Sequence, residues 1–283
     1  MHVDGLIFRT KEVLDACAVP LYLMRGRPPW SAGYYTTKKR VITDAINGNA
    51  VQAGRPLPDG FGVGVDERAV EFPWVFDRLS RMSSLGRMLD AGSTLNHDYV
   101  LDRAPVRDAK LTLMTLAPEK KCYWYRGYSY VFGDFRGTDF RDGAFNTIVS
   151  ISTLEHVGLD NTLLYTSDQA KAETDKYGFR DAIREFKRLL APNGQCLITL
   201  PFGKYENFGW FHLFDREMLD ILIQEFAPSA CELEFFQYKR SGWRRASEQE
   251  VIDASAFDPH SGRGRLDDLA GCARAIVCIQ LTK

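Results

Sequence analysis

The stretch MLDAGSTLN, residues 88–96, ends an apolar run in Asp90 and Gly92 and continues through Ser93, Thr94 and Asn96. A glycine after a strand lets the backbone approach a ligand, and small polar side chains add to the exposed amide donors, so this turn has the chemistry of a nucleotide-holding loop. A plain tight strand-to-helix turn is the competing reading. Three later stretches repeat the pattern. TLAPEK puts Thr115 where a ribose-holding site usually offers a carboxylate, with Glu119 a turn further on. Asp134 follows a short strand-like run and is placed to accept a hydrogen bond from an exocyclic amine such as that of adenine, with Phe135 as an apolar wall. FNTIVSISTLEHVG then delivers Ser152, Thr153, Glu155 and His156 to the edge of the same site. An imidazole with an ordinary pKa of about 6.5 takes a proton at neutral pH, which makes His156 the candidate general base. A structural histidine bonded to nearby backbone fits the sequence as well.

These residues need strands to hold them in register. RMLDAG, KLTLMTL, FNTIVSIS and QCLITLP each have the apolar character of a strand buried on both faces, as in parallel sheets. TDKYGFRDAIREFKRLLAPNG is the clearest helix: Ile183, Phe186, Leu189 and Leu190 share a face and Pro-Asn-Gly is the expected stop. DREMLDILIQEF is a second, capped by Asp215. CELEFFQYKR and ARAIVCIQLTK supply two more strands joined by a long polar connection. The alternation predicts an open α/β sheet with crossover helices, whose ligands bind at the carboxyl ends of the strands.

Residues 1–80 differ in character, with RGRPPWSAGYY and AGRPLPDGFGVG as Pro- and Gly-rich punctuation. TTKKRVITDAINGN predicts a short helix stopping at its glycine. DERAVEFPWVFDRLS predicts another, with Asp66 as N-cap and Pro73 in its first turns or at a kink. This segment is expected to form part of a substrate lid, with residues 81–283 as the catalytic domain. The formal net charge is -1, from 36 basic and 37 acidic residues, so the total carries no footprint of a nucleic-acid binder. Six cysteines occur without a C-x-x-C pair, and no metal-ligand cluster is legible. The absence of a signal-like start and of an apolar run of ~20 residues predicts a cytoplasmic protein with no membrane span. The sequence leaves the oligomeric state open.

The ordered set MLDAG, GDFRGTDFRDGAFNTIVSISTLEHVG, FKRLLAPNGQCLITLP and the strand-like tail resembles the class I S-adenosylmethionine-dependent methyltransferases, over roughly residues 87–200 and more faintly to the C-terminus. The resemblance implies a Rossmann-like, mostly parallel seven-stranded sheet with helices on both faces and an antiparallel last strand. It implies S-adenosylmethionine as cofactor, with Asp90, Gly92, Ser93 and Asn96 at the methionine-side turn and Thr115 near the ribose. Asp134 and Phe135 would flank adenine, and Ser152, Thr153 and Leu154 would line the methyl donor. The sequence departs from the family where further glycines are expected (Thr94, Asn96), at the ribose acid (Thr115) and at the start of the fourth strand (Asn146).

The expected activity is methyl transfer to a small molecule, with a hydroxyl of a sugar, glycan precursor or secondary metabolite as acceptor. The aromatics Trp30, Tyr34, Tyr35, Tyr205, Phe208, Trp210, Phe211 and His212 are candidates for its lid or for a subdomain core. KRSGWRR, with Arg263 and Arg265, is a candidate phosphate contact or a solvated loop. An NAD-dependent oxidoreductase would require G-x-G-x-x-G after the first strand, and GSTLN supplies one glycine. A non-catalytic binding protein on the same fold is the other alternative.

Overall fold

The computed structural model describes residues 3–119, 121–166 and 168–283, with side chains from residue 10 onward; the first two residues of the 1–80 segment lie outside this description. Its elements are helices α1 (Val3–Met24), α2 (Tyr34–Asn47) and α3 (Arg68–Arg81), strand β1 (Arg87–Ala91), α4 (Asp98–Leu101), β2 (Lys110–Thr115), β3 (Ser129–Phe132), β4 (Phe145–Ile151), α5 (Thr162–Tyr165), α6 (Phe179–Leu189), β5 (Leu190–Pro201), α7 (Arg216–Phe226), β6 (Ala230–Lys239), β7 (Gly242–Ala246), α8 (Glu248–Val251) and β8 (Ala275–Thr282).

The strands form one eight-stranded sheet in the order β3-β2-β1-β4-β5-β8-β6-β7. β3, β2, β1, β4 and β5 pair in parallel, and β8 runs antiparallel between β5 and β6. This is the Rossmann-like α/β architecture that the resemblance implies, with one correction: the sheet has eight strands rather than seven. The additional strand is β7, antiparallel to β6, and it occupies the connection expected to be only polar loop. Strand order reverses direction between β1 and β4, which opens a crevice at their carboxyl ends.

Successive strand residues face opposite sides of the sheet, and both sides are covered. Leu89, Ile148 and Ile198 pack with Phe179, Ile183 and Phe186 of α6 and Leu222 of α7. Met88, Val149 and Leu197 pack with Phe72, Val75 and Phe76 of α3. α3 is therefore a layer of the domain that holds the sheet, and the core is continuous across position 80. Pro73 falls in the second turn of α3, and Asp66 Oδ1 accepts the Arg68 backbone N–H at 3.2 Å. α7 starts as predicted, with the Asp215 carboxylate accepting the Met218 N–H at 2.9 Å. α6 ends earlier than expected, because Leu190 already pairs with Phe145 and Pro-Asn-Gly lies in the first part of β5.

Candidate active site

A cavity opens at the carboxyl ends of the parallel strands. Its lining includes Gly92 after β1, Thr115 at the end of β2, Asp134 and Phe135 after β3, and Thr153 and His156 after β4. The fit at the switch point is close. Gly92 has φ +120°, and a Cβ there would stand 2.1 Å from Thr153 Oγ1, so the turn requires glycine for both its conformation and its contact with the β4 loop.

The remaining residues expected at this site face elsewhere. Asp90 is fully buried; its Oδ2 accepts the Leu95 N–H at 2.8 Å and its Oδ1 has no partner. Burial, only partly opposed by backbone N–H groups, raises its pKa to about 7. Ser93 is buried at positive φ, also with an unpartnered hydroxyl. Asn96 braces the segment before β3: its Nδ2 donates to the Lys121 carbonyl and its Oδ1 accepts from Tyr130. Leu154 is in the apolar core. Ser152 turns away from the cavity and donates to Glu71 Oε1 at 2.5 Å.

His156 stacks on Trp210 with ring centroids 5.0 Å apart. Its Nδ1 lies 2.8 Å from the Trp210 carbonyl, an acceptor, so the ring hydrogen belongs on Nδ1 and the lone pair on Nε2. Burial, opposed by that bond, pushes the imidazole pKa down to about 4. Burial also works to raise the pKa of Asp134, but the Arg136 guanidinium outweighs it and holds the carboxyl below its ordinary range. Arg136 bridges Asp134 to Glu173, at 2.6 and 2.5 Å.

On the other side of the β4 loop lies a polar cluster that the sequence did not reveal. Glu71, fully buried in α3, accepts from Ser152, from Thr199 Oγ1 at 2.7 Å and from Arg68 Nη1 at 2.8 Å. Glu155 is buried within the field of Glu71, Arg68 and Glu67; burial drives its pKa well above the carboxylate range, and its Oε2 has no partner. Its Oε1 is 3.8 Å from His156 Nε2. The available signal was an acid within the apolar run AVEFPWVF.

The aromatics divide. Tyr34 and His212 are completely buried, and Phe208 stacks on Phe211 at 4.6 Å in a small satellite core. Trp30 donates to the Gly271 carbonyl, while Tyr35 is exposed. Of the basic residues considered for phosphate, Arg244 pairs with Glu250, Arg245 with Glu234 and Arg263 with Glu206. Among the described residues no group of three or more His, Cys, Asp or Glu could hold a metal, and no helix is long and apolar enough to cross a membrane.

No family model matches the chain, and no curated protein matches it. Among solved structures it is similar to the 1,6-didemethyltoxoflavin-N1-methyltransferase of Burkholderia thailandensis bound to 1,6-didemethyltoxoflavin and S-adenosylhomocysteine, at 14% identity over 73% of this chain and 73% of that one, TM-score 0.41. It is also similar to the N-methyltransferase NodS of Bradyrhizobium japonicum in complex with S-adenosylhomocysteine, at 15% identity over 75% and 92% of the two chains, TM-score 0.40. The [4+2]-cyclase SpnF is a third, at 18% identity over 76% and 77%, TM-score 0.42. At these scores the activity of this chain has to be argued from its own residues.

Proposed function

We propose that the chain is an S-adenosylmethionine-dependent methyltransferase of a small-molecule acceptor, with a hydroxyl of a sugar, glycan precursor or secondary metabolite as the favoured class. The observation that carries this reading is the meeting of Gly92, Thr115, Asp134, Phe135, Thr153 and His156 around one cavity at the strand-order switch. Gly92 lines this cavity while its Cβ side is closed against Thr153, which fixes the turn and the β4 loop against each other. S-adenosylmethionine, when bound, supplies an electrophilic methyl on a sulfonium.

The chain's own part is to align the acceptor and take its proton. His156 does so through Nε2. A pKa near 4 keeps that lone pair free through the neutral range. Weak basicity suffices, because a hydroxyl becomes strongly acidic as its oxygen bonds to carbon. Trp210 holds the imidazole tautomer through its carbonyl and orients the ring by stacking. Asp134 and Phe135 are assigned to adenine, and Asp90 to fixing the turn through Leu95.

The bracing role of Asn96 and the threonine at position 115 favour a second reading, a non-catalytic protein on the same fold. Calorimetric titration with S-adenosylmethionine, S-adenosylhomocysteine and NAD separates the possibilities. Micromolar binding of the first two without NAD is expected; no binding of any would remove the cofactor assignment.

A further inference from the structure

At the end of β2 a nucleoside site normally presents a carboxylate, whose two oxygens accept both hydroxyl hydrogens of a ribose diol. Thr115 stands there, 4% exposed, with one hydroxyl. A second hydroxyl arrives from a distant part of the chain. Tyr165, the last residue of α5, lines the same cavity as Thr115.

The arm that brings it is itself anchored. Asp160 Oδ1 accepts the Thr162 N–H at 3.0 Å and the Thr162 hydroxyl at 2.6 Å, which sets the start of α5. Asn161 Nδ2 donates to the carbonyls of His156 and Leu159, at 2.7 and 3.0 Å. The position of Tyr165 is thus linked to the loop that carries His156.

We propose that Tyr165 and Thr115 form the ribose-recognition pair of this cavity, each hydroxyl taking one member of the vicinal diol in place of a carboxylate. The inference rests on the methyl-donor reading of the cavity. Each hydroxyl both donates and accepts, so two of them match a diol without placing a charge in the site. Glu119, the nearest acid in sequence, is not part of the cavity lining and is not needed for this role.

The test is calorimetry with S-adenosylhomocysteine and its 2′,3′-dideoxy analogue on the unmodified chain, Tyr165→Phe, Thr115→Val and Glu119→Gln. Tyr165→Phe is expected to weaken S-adenosylhomocysteine about tenfold, the scale of one lost hydrogen bond, and to leave the dideoxy ligand unchanged. Thr115→Val should behave alike, and Glu119→Gln should match the unmodified chain. Tyr165 is 39% exposed, so its replacement should not disturb folding. Equal losses with both ligands, or a diol-specific loss in Glu119→Gln alone, would overturn the pairing. If the unmodified chain binds neither ligand, the cofactor reading falls and the pairing with it; binding of both without discrimination leaves the cofactor reading standing and refutes the pairing alone.

Discussion

Residues 152–156 divide between two environments a few ångströms apart. Ser152 turns toward α3, where the buried Glu71 carboxylate accepts from Ser152, Thr199 and the partly exposed Arg68. Thr153 and His156 line the cavity, where Asp134 is 40% exposed along its side chain and His156 Nε2 lies 3.8 Å from Glu155 Oε1. A polar group closed into a network mainly supports the fold, whereas one with spare lone pairs facing a cavity can serve a ligand. Substitutions on the two sides should therefore separate stability from binding.

The largest effect is expected at Glu71. Glu71→Leu strips the acceptor from two buried hydroxyls and removes the carboxylate that meets Arg68, a change that costs about 3–5 kcal/mol where a buried pair is broken. Urea unfolding should show a lower midpoint with the slope unchanged. A loss under ~1 kcal/mol would mean that the network is not a structural unit. Next is Asp90→Asn. The folded-state pKa of Asp90, about 7, lies above its ordinary 3.8. A raised carboxyl favours folding below the unfolded value and loses that contribution as pH rises through the folded one. The variant should therefore be more stable than the unmodified chain at pH 8, by roughly 2–4 kcal/mol, with the gap closing toward pH 4. Thermal unfolding at the two pH values measures it, and a gap independent of pH would contradict the assignment.

The same division marks what was legible in the sequence. The five parallel strands announce themselves because burial on both faces requires near-continuous apolar runs, as in FNTIVSIS. β7 was hidden: it pairs on one side only, and its Arg244 and Arg245 have the composition of a solvated loop. α1 was hidden too. Val13, Leu14, Leu21 and Met24 are exposed, so its apolar residues do not trace a buried stripe. At the site, residues following strands could be chosen because each strand end delivers its neighbours locally. Glu71 could not be placed, since its partners Ser152 and Thr199 are 81 and 128 residues away. Tyr165 was missed for the same reason, as nothing near TLLYTS indicates that it lines the same cavity as Thr115.

On the cavity side the effects should appear in binding and turnover. His156→Ala should lower turnover about a hundredfold, the lower end for a lost general base, while cofactor affinity stays within about twofold. With its pKa near 4, His156 should contribute no titration limb to the rate between pH 5 and 9; protonation below that range is what silences it. Unchanged turnover in the variant would return His156 to a purely structural role beside Trp210.

The smallest effect expected is at Asp134. Its oxygens already accept from the Arg136 backbone N–H at 2.8 Å and from the Arg136 guanidinium, and Arg136 is held independently by Glu173. Removing the carboxylate should therefore leave the wall of the cavity in place and withdraw one hydrogen bond from an exocyclic amine. That predicts a loss of about tenfold or less in affinity for S-adenosylhomocysteine with Asp134→Ala. The loss should vanish with the inosine analogue, whose base lacks the amine. If both ligands weaken equally, Asp134 acts by positioning Arg136 and the loop after β3. If neither weakens, the adenine lies elsewhere in the cavity, and Phe135 becomes a wall of some other subsite.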